Sequence, residues 1–247
     1  MNAAPEVQLR LLDVQALDTT IDQLNHRRAG LPEHAELARL TARLDEVGRE
    51  IVVTQTEEGD IAREQAKAEA DVEQVVQRAT RDKQRLDAGQ VGSPRELENL
   101  QSEIASLERR QSDLEDAVLE IMERREDAQN RLTAFMTERD ELTQQIATTE
   151  ARRDEQLADI DGHLGKATGE RAGVAAEIPG ELLDLYEKIR AAQGGVGAAQ
   201  LHRGRCEGCH LSLDASSLEQ LRAAAPDAVV RCEECRRILV RTVDSGL

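Results

Sequence analysis

The sequence predicts a mainly α fold: a long antiparallel coiled-coil hairpin followed by a small C-terminal module built on four cysteines. Three observations predict it. Apolar residues recur at alternating spacings of three and four through two long stretches. A short turn-forming segment separates those stretches. Every cysteine lies in the last 42 residues, in two C-x-x-C pairs.

Composition supports the helical reading. The 247 residues include one Phe (Phe135), one Tyr (Tyr186) and no Trp, while 33% are charged. A compact domain of this length would fill its interior with many aromatic side chains. A chain rich in Ala, Leu, Glu, Gln and Arg instead buries a narrow seam between long helices.

The elements follow in order. Val14, Leu17, Ile21, Leu24 and Leu31 repeat the helical spacing briefly, and Gly30-Leu31-Pro32 should break or kink the chain. A longer seam then begins. Its rows are Leu37, Leu44, Ile51, Glu58, Gln65, Val72, Ala79, Leu86 and Leu40, Val47, Thr54, Ile61, Ala68, Val75, Asp82. At Asp87–Glu96 the pattern stops. Gly89 and Gly92 can turn the chain, Ser93 fits an N-cap, Pro94 fits the first helical position, and Glu96 completes a capping box. The tip is therefore expected near residues 88–93.

The second seam runs over 97–163. One row is Leu97, Ile104, Gln111, Val118, Arg125, Leu132, Arg139, Ile146, Arg153, Ile160. The other is Leu100, Leu107, Leu114, Ile121, Ala128, Phe135, Leu142, Thr149, Gln156, His163. A seam of this period demands a partner helix. Two such stretches joined by a short capped turn give an antiparallel arm of roughly 80–120 Å. Two helices of a compact bundle are the alternative, but a bundle needs wider apolar faces. If Leu86 and Leu97 close the tip, facing residue numbers add to about 183, which sets Glu58 opposite Arg125 and Gln65 opposite Val118. A polar pair inside an apolar seam can fix register.

Glycines accumulate after residue 160, and Pro179 ends the second seam. Glu181–Ala192 reads as a short amphipathic helix, Gly194-Gly195-Val196-Gly197 as a flexible joint, and Ala198–His202 as a strand. Ser216–Leu221 reads as a capped helical turn, with further strands at Ala228–Arg231 and Ile238–Thr242. The expected organisation is a hairpin over 1–178 with a kink near 30–32, a helix and joint over 179–200, and a ribbon over 201–247.

The four cysteines carry the clearest chemistry. Cys206, Cys209, Cys232 and Cys235 form two C-x-x-C turns separated by 22 residues. Each turn holds two sulfurs close enough to share an ion, and two turns complete a tetrahedral four-thiolate shell, the pattern of a structural zinc ribbon with one Zn²⁺ per chain. Two disulfides or redox dithiols are the alternative. Adjacent cysteines of a C-x-x-C rarely bridge well, and no βαβ pattern accompanies them. His202 and His210 could stand in for a thiolate, but read more simply as exposed or packing histidines.

Charge narrows the partners. The net charge is −17, and residues 1–200 hold 42 acidic and 25 basic side chains, whereas the last 47 hold seven of each. An acidic rod repels phosphates, so nucleic acid would meet the arginine-bearing end. Arg203, Arg205, Arg231, Arg236 and Arg237 are the candidate partner or RNA contacts there, with Arg222 and Arg241 nearby; a solvated surface is the plainer reading. No apolar run reaches some 18 residues, so no membrane span is expected. Met1–Glu6 lacks a secretory signal, and unbridged thiols fit a reducing cytoplasm.

Several segments resemble one family: Ser93–Ile104 at the tip, Leu114–Glu123, Leu185–Arg190, and the two cysteine pairs with Cys232-Glu-Glu-Cys235-Arg-Arg-Ile-Leu239. They are similar to bacterial four-cysteine zinc-ribbon proteins with a long N-terminal coiled-coil hairpin. The resemblance implies Cys206, Cys209, Cys232 and Cys235 as zinc ligands. It also implies an adaptor role in bacterial gene regulation. Some members bind the enhancer-dependent alternative sigma factor or flagellar and secretion components, and one is linked to flagellin mRNA. The chain departs from the pattern at Arg236 and His210, where glycine often follows the second cysteine of a pair. A positive φ there would cost a non-glycine residue about 1 kcal/mol.

Three functions are therefore weighed. The first is a non-enzymatic adaptor that binds protein partners, with RNA as a second candidate. The second is an RNA polymerase secondary-channel regulator acting through acidic tip residues such as Asp82 and Asp87. The third, a metalloenzyme, needs an open metal position that four thiolates close. No phosphate loop, nucleophile elbow or H-E-x-x-H suggests a small-molecule substrate.

Overall fold

The computed structural model describes residues 1–247. In chain order the elements are α1 (Pro5–Ala29), α2 (Pro32–Asp87), α3 (Pro94–Ala175), α4 (Gly180–Ala192), β1 (Ala198–His202), β2 (Arg205–Cys206), α5 (Ala215–Ala223), β3 (Val230–Arg231) and β4 (Ile238–Val240). They form two compact units, one of residues 36–149 and one of residues 1–35 with 150–247. No helix is long and apolar enough to cross a membrane.

The 36–149 unit is the antiparallel pairing of α2 with α3. Leu40, Val47, Ile51 and Leu142 are buried together, flanked by Leu44, Leu132, Phe135 and Ile146. Ile61, Ile121 and Ala128 form a second cluster with Ala68. These are residues of the two expected heptad rows. Burying each large aliphatic contributes about 1.5–3 kcal/mol. Arg43–Glu138, Arg131–Glu57, Arg124–Glu64, Arg78–Glu103 and Lys83–Glu108 pair across the helices at the surface. Exposed pairs of this kind contribute little, so the seam holds the hairpin.

At the tip, Gly89 takes a φ of 63°, and the Gln90 amide donates to Arg85 O at 3.1 Å, closing the end of α2. Ser93 caps α3, its Oγ accepting from the Glu96 amide at 3.3 Å. The Glu96 carboxylate accepts from Gly92 rather than Ser93, at 3.0 Å, so the reciprocal bond of the capping box is displaced by one residue. Leu97, expected to close the tip, is exposed, and Leu100 is the first buried residue of α3.

In the other unit α1 and α2 are separate helices. Gly30 ends α1 and Pro32 starts α2, where a missing amide hydrogen costs nothing. Glu33 is buried beside them and accepts from Arg152 Nε at 2.9 Å and Gln156 Nε2 at 2.8 Å. Its own amide, Arg152 and Gln156 hold its carboxyl below the usual range, against the opposing effect of burial. On α3, His163 is exposed rather than on the seam. The packed face passes from Gln156 to Ile160 and then Leu164, two steps of four, before Ala167 and Arg171. Such a stutter locally unwinds the heptad and rotates His163 outward.

The sheet has the order β2-β1-β4-β3. β1 and β4 pair in parallel, Ala199 opposite Leu239, and the outer pairs are antiparallel. Successive side chains of a strand point to opposite faces. Ala198, Ile238 and Val240 therefore pack on Leu11 and Val14 of α1 and on Leu182, Tyr186 and Ile189 of α4. Ala199, Leu201 and Leu239 pack on Leu213, Leu221, Cys206 and Cys232 from the opposite face. Asp214 caps α5, accepting from the Ser217 amide at 2.7 Å.

Polar groups secure the first face. Asp18 of α1 is buried and accepts from Arg171 Nε at 2.6 Å and Tyr186 OH at 2.7 Å, while Arg171 also pairs with Glu187. Gln15 Oε1 accepts from the Gly197 amide at 2.7 Å, and Gln15 Nε2 donates to Gly195 O at 3.0 Å. The glycine segment expected as a flexible joint is thus held at specific points. A Cβ on Gly197 would lie 2.6 Å from the Tyr186 carbonyl oxygen, so only glycine lets the backbone pass under that ring.

Candidate metal centre

Each C-x-x-C sits in a tight turn made by local hydrogen bonds. The His210 amide donates to Cys206 O at 2.7 Å and the Cys206 amide to Leu211 O at 3.0 Å. In the second turn Arg236 donates to Cys232 O at 2.9 Å, and Cys232 to Arg237 O at 2.9 Å. The matching geometry needs a left-handed residue after the second cysteine. His210 (φ 58°) and Arg236 (φ 62°) occupy it, as their replacement of glycine implies. Each bears a cost of about 1 kcal/mol that glycine would avoid.

The two turns face each other. Cys206 Sγ lies 3.9 Å from Cys235 Sγ, and Cys209 Sγ lies 3.9 Å from Cys232 Sγ. All four sulfurs fall within 4.8 Å of one another. A tetrahedral Zn–S distance of about 2.3 Å requires sulfurs roughly 3.8 Å apart. Disulfide bonding would need sulfurs near 2.05 Å. The donor set therefore fits a zinc ion. Cys206 and Cys232 are buried, and burial pushes the Cys206 thiol up to about 12 and raises that of Cys232. At Cys235 burial acts in the same direction, but hydrogen bonds from Arg237 and the neighbouring thiols outweigh it and lower the value. Three or four sulfurs crowded this closely as thiolates need a cation to offset their charge.

The arginines divide into two groups. Arg237 donates to the carbonyls of Val196 (3.0 Å), Gly208 (3.0 Å) and Gln193 (2.7 Å), tying the first cysteine turn to the end of α4. A Cβ on Gly208 would lie 2.7 Å from Arg237 Cδ, so the turn and the clamp fit together only with glycine there. Arg241 is spent similarly on carbonyls of Ala224, Ala225, Pro226 and Ala228. Arg203, Arg205, Arg231 and Arg236 are exposed. Sequence reasoning grouped Arg237 with these, because nothing local distinguishes a surface arginine from one that bonds carbonyls far along the chain. His202 and His210 lie outside the sulfur cluster, and His210 is exposed near Glu207.

Asp82, weighed as a tip acid, has a side chain only 13% exposed, 3.8 Å from Arg85. Asp87 is exposed.

Residues 14–194 match the CT398-like coiled coil hairpin domain, and residues 205–239 match the C4-type zinc ribbon domain. An uncharacterized protein of Mycobacterium tuberculosis, in strains CDC 1551 / Oshkosh and H37Rv, is 34% identical over 241 residues, covering 98% of each chain. A solved structure from Mycobacterium smegmatis superposes with a TM-score of 0.82 at 32% identity, covering 98% of this chain and 100% of that one. CT398 from Chlamydia trachomatis shares the fold at a TM-score of 0.68 and 18% identity, over 96% and 98% of the two chains. The HP0958 protein of Helicobacter pylori is similar at 0.51 and 15%, over 97% and 98%.

Proposed function

This chain belongs to the CT398-like coiled-coil hairpin family and carries a C4-type zinc ribbon, and we propose that it is a non-enzymatic adaptor. One observation carries the reading. Cys206, Cys209, Cys232 and Cys235 converge at the spacing of a complete tetrahedral shell, so a bound zinc ion has no position left for substrate or water. The metal then has a structural role: it fastens two turns of a module too small to bury much apolar surface without it. The paired helices α2 and α3 supply spaced charges and a capped turn at Ser93–Glu96 for partner binding.

The partners we propose are proteins of the bacterial transcription or secretion machinery, in keeping with the family resemblance and a cytoplasmic setting. RNA is a second candidate at Arg203, Arg205, Arg231 and Arg236, four exposed cations on the ribbon. The secondary-channel reading is less favoured, because the largely buried Asp82 carboxylate beside Arg85 is poorly presented to a catalytic metal.

The test is affinity capture from native lysate with the unaltered chain, a Cys232→Ser chain and a chain altered at Ser93–Glu96. Partners lost from one altered bait and kept by the other would support division of recognition between ribbon and arm. A partner set indifferent to both changes, or loss of an effect on purified RNA polymerase when Asp82 and Asp87 are replaced, would contradict it.

A further inference from the structure

The two flanks of the paired helices differ in how their charges are matched. Arg78–Glu103, Arg124–Glu64 and Arg131–Glu57 bridge α2 and α3 along one flank. Lys83–Glu108 bridges them along the other. Residues seven apart share a heptad position. Stepping by sevens from Lys83 and Glu108 therefore places Glu69 and Ala62 of α2, and Glu115 and Met122 of α3, on that second flank.

On α3 the row Glu115, Leu119, Met122, Glu126 is spaced four, three and four, which is one face of the helix. Leu119 is 58% exposed and Met122 46%, and a carboxylate stands one turn away at each end. No cation of the chain offsets those carboxylates. Residues 111–123 contain Asp113, Glu115, Asp116, Glu120 and Glu123 but no Lys or Arg. Glu115 and Glu69 accept from the neutral amides of Gln111 and Gln65, and neither they nor Glu126 joins an ion pair.

We infer that this flank is the arm's docking site for a basic amphipathic helix of a protein partner; the inference rests on the adaptor reading above and gives the arm's occupant a chemistry. Charge selects that occupant. A second copy of this acidic arm, a nucleic acid or an anionic lipid surface would set like charge against Glu69, Glu115 and Glu126. A helix with an apolar stripe edged by Lys or Arg instead covers Leu119 and Met122 and supplies the cations that the carboxylates lack. The opposite flank has no such demand, because Arg124 and Arg131 already serve Glu64 and Glu57.

Fluorescence anisotropy on the full zinc-loaded chain tests this with a labelled Leu/Lys amphipathic peptide of about 18 residues, and with its Leu/Glu counterpart as control. The Leu/Lys peptide is expected to bind and the Leu/Glu peptide is not. Leu119→Ser with Met122→Ser should raise the dissociation constant about tenfold or more, at unchanged far-UV helicity because both side chains are exposed. Glu115→Gln with Glu126→Gln should weaken binding and flatten its salt dependence. Removing as many charges from the opposite flank, by Glu50→Gln with Asp71→Asn, should do so far less. No binding at roughly 0.2 mM peptide, equal binding by all variants, or equal weakening from the opposite flank would overturn the proposal. If that happens while alteration of Ser93–Glu96 still removes partners in the capture test, the docking site is wrong and the adaptor reading stands.

Discussion

Arg125 Nε lies 2.9 Å from Glu58 Oε1 across the paired helices, and the two residue numbers add to 183. Arg125 also donates to Gln65 at 3.2 Å. Of the arginines in the α3 row (Arg125, Arg139 and Arg153), Arg125 is the one set opposite a glutamate, so a register shifted by one heptad would part the two charges and leave Glu58 facing Val118 or Leu132. The contact marks the register set by the tip.

The first prediction concerns that register. Glu58→Arg and Arg125→Glu should each lower the thermal midpoint followed by circular dichroism, and the two together should recover much of the loss. Arg125, with help from Gln129, holds the Glu58 carboxyl below its usual range. Its contribution is therefore present above the unfolded-chain value of 4.5 and is lost as pH falls through the lower folded value. Independent losses in the two single variants with no recovery in the double would contradict the pairing.

A second prediction uses the only tyrosine. Tyr186 is buried and its hydroxyl donates to Asp18. Burial, then the Asp18 carboxylate, raise its ionisation well above the ordinary 10.0. Stability from this group is therefore constant below pH 10.0 and falls as pH rises past it towards the folded value. Absorbance titration at alkaline pH should show phenolate appearing only as the fold is lost. Tyr186→Phe should cost about 1–3 kcal/mol, because a hydrogen bond to a buried carboxylate is removed. A phenolate forming near pH 10 in folded protein would contradict the burial.

How much of this was legible follows from the range of each interaction. The seam rows, the Ser93 cap and the cysteine turns are local patterns, visible as spacings. The docking of α1 on the sheet is not: Ala3 donates to Asp227 O at 2.8 Å, and Gln15 reaches Gly197, with no nearby sequence signal. Gln15 and Asp18 look like surface residues because their burial depends on Tyr186 and Arg171, more than 150 residues away. The parallel pairing of β1 with β4 is equally non-local. His163 was misplaced because a stutter leaves each neighbouring heptad intact while rotating the face between them.

The third prediction separates neighbouring arginines. Arg236→Gly should leave the ribbon folded and stabilise it by about 1 kcal/mol by relieving the left-handed backbone, whereas Arg237→Ala removes three carbonyl bonds and should loosen both cysteine turns. Competition with a chromogenic zinc chelator would read this as faster metal loss from Arg237→Ala. If RNA binds the ribbon, Arg231→Ala with Arg236→Ala should weaken it and flatten its salt dependence. Equal metal retention in the Arg236 and Arg237 variants would contradict the clamp.

Metal analysis of the purified chain, combined with hydrogen exchange before and after chelation, tests the central claim most directly. One zinc per chain is expected, together with protected amides across 201–242. Chelation or Cys232→Ser should abolish that protection while leaving most far-UV helicity intact, since α2 and α3 hold each other through their own seam. A chain with no zinc, four free thiols and a C-terminal module still protected would contradict the account.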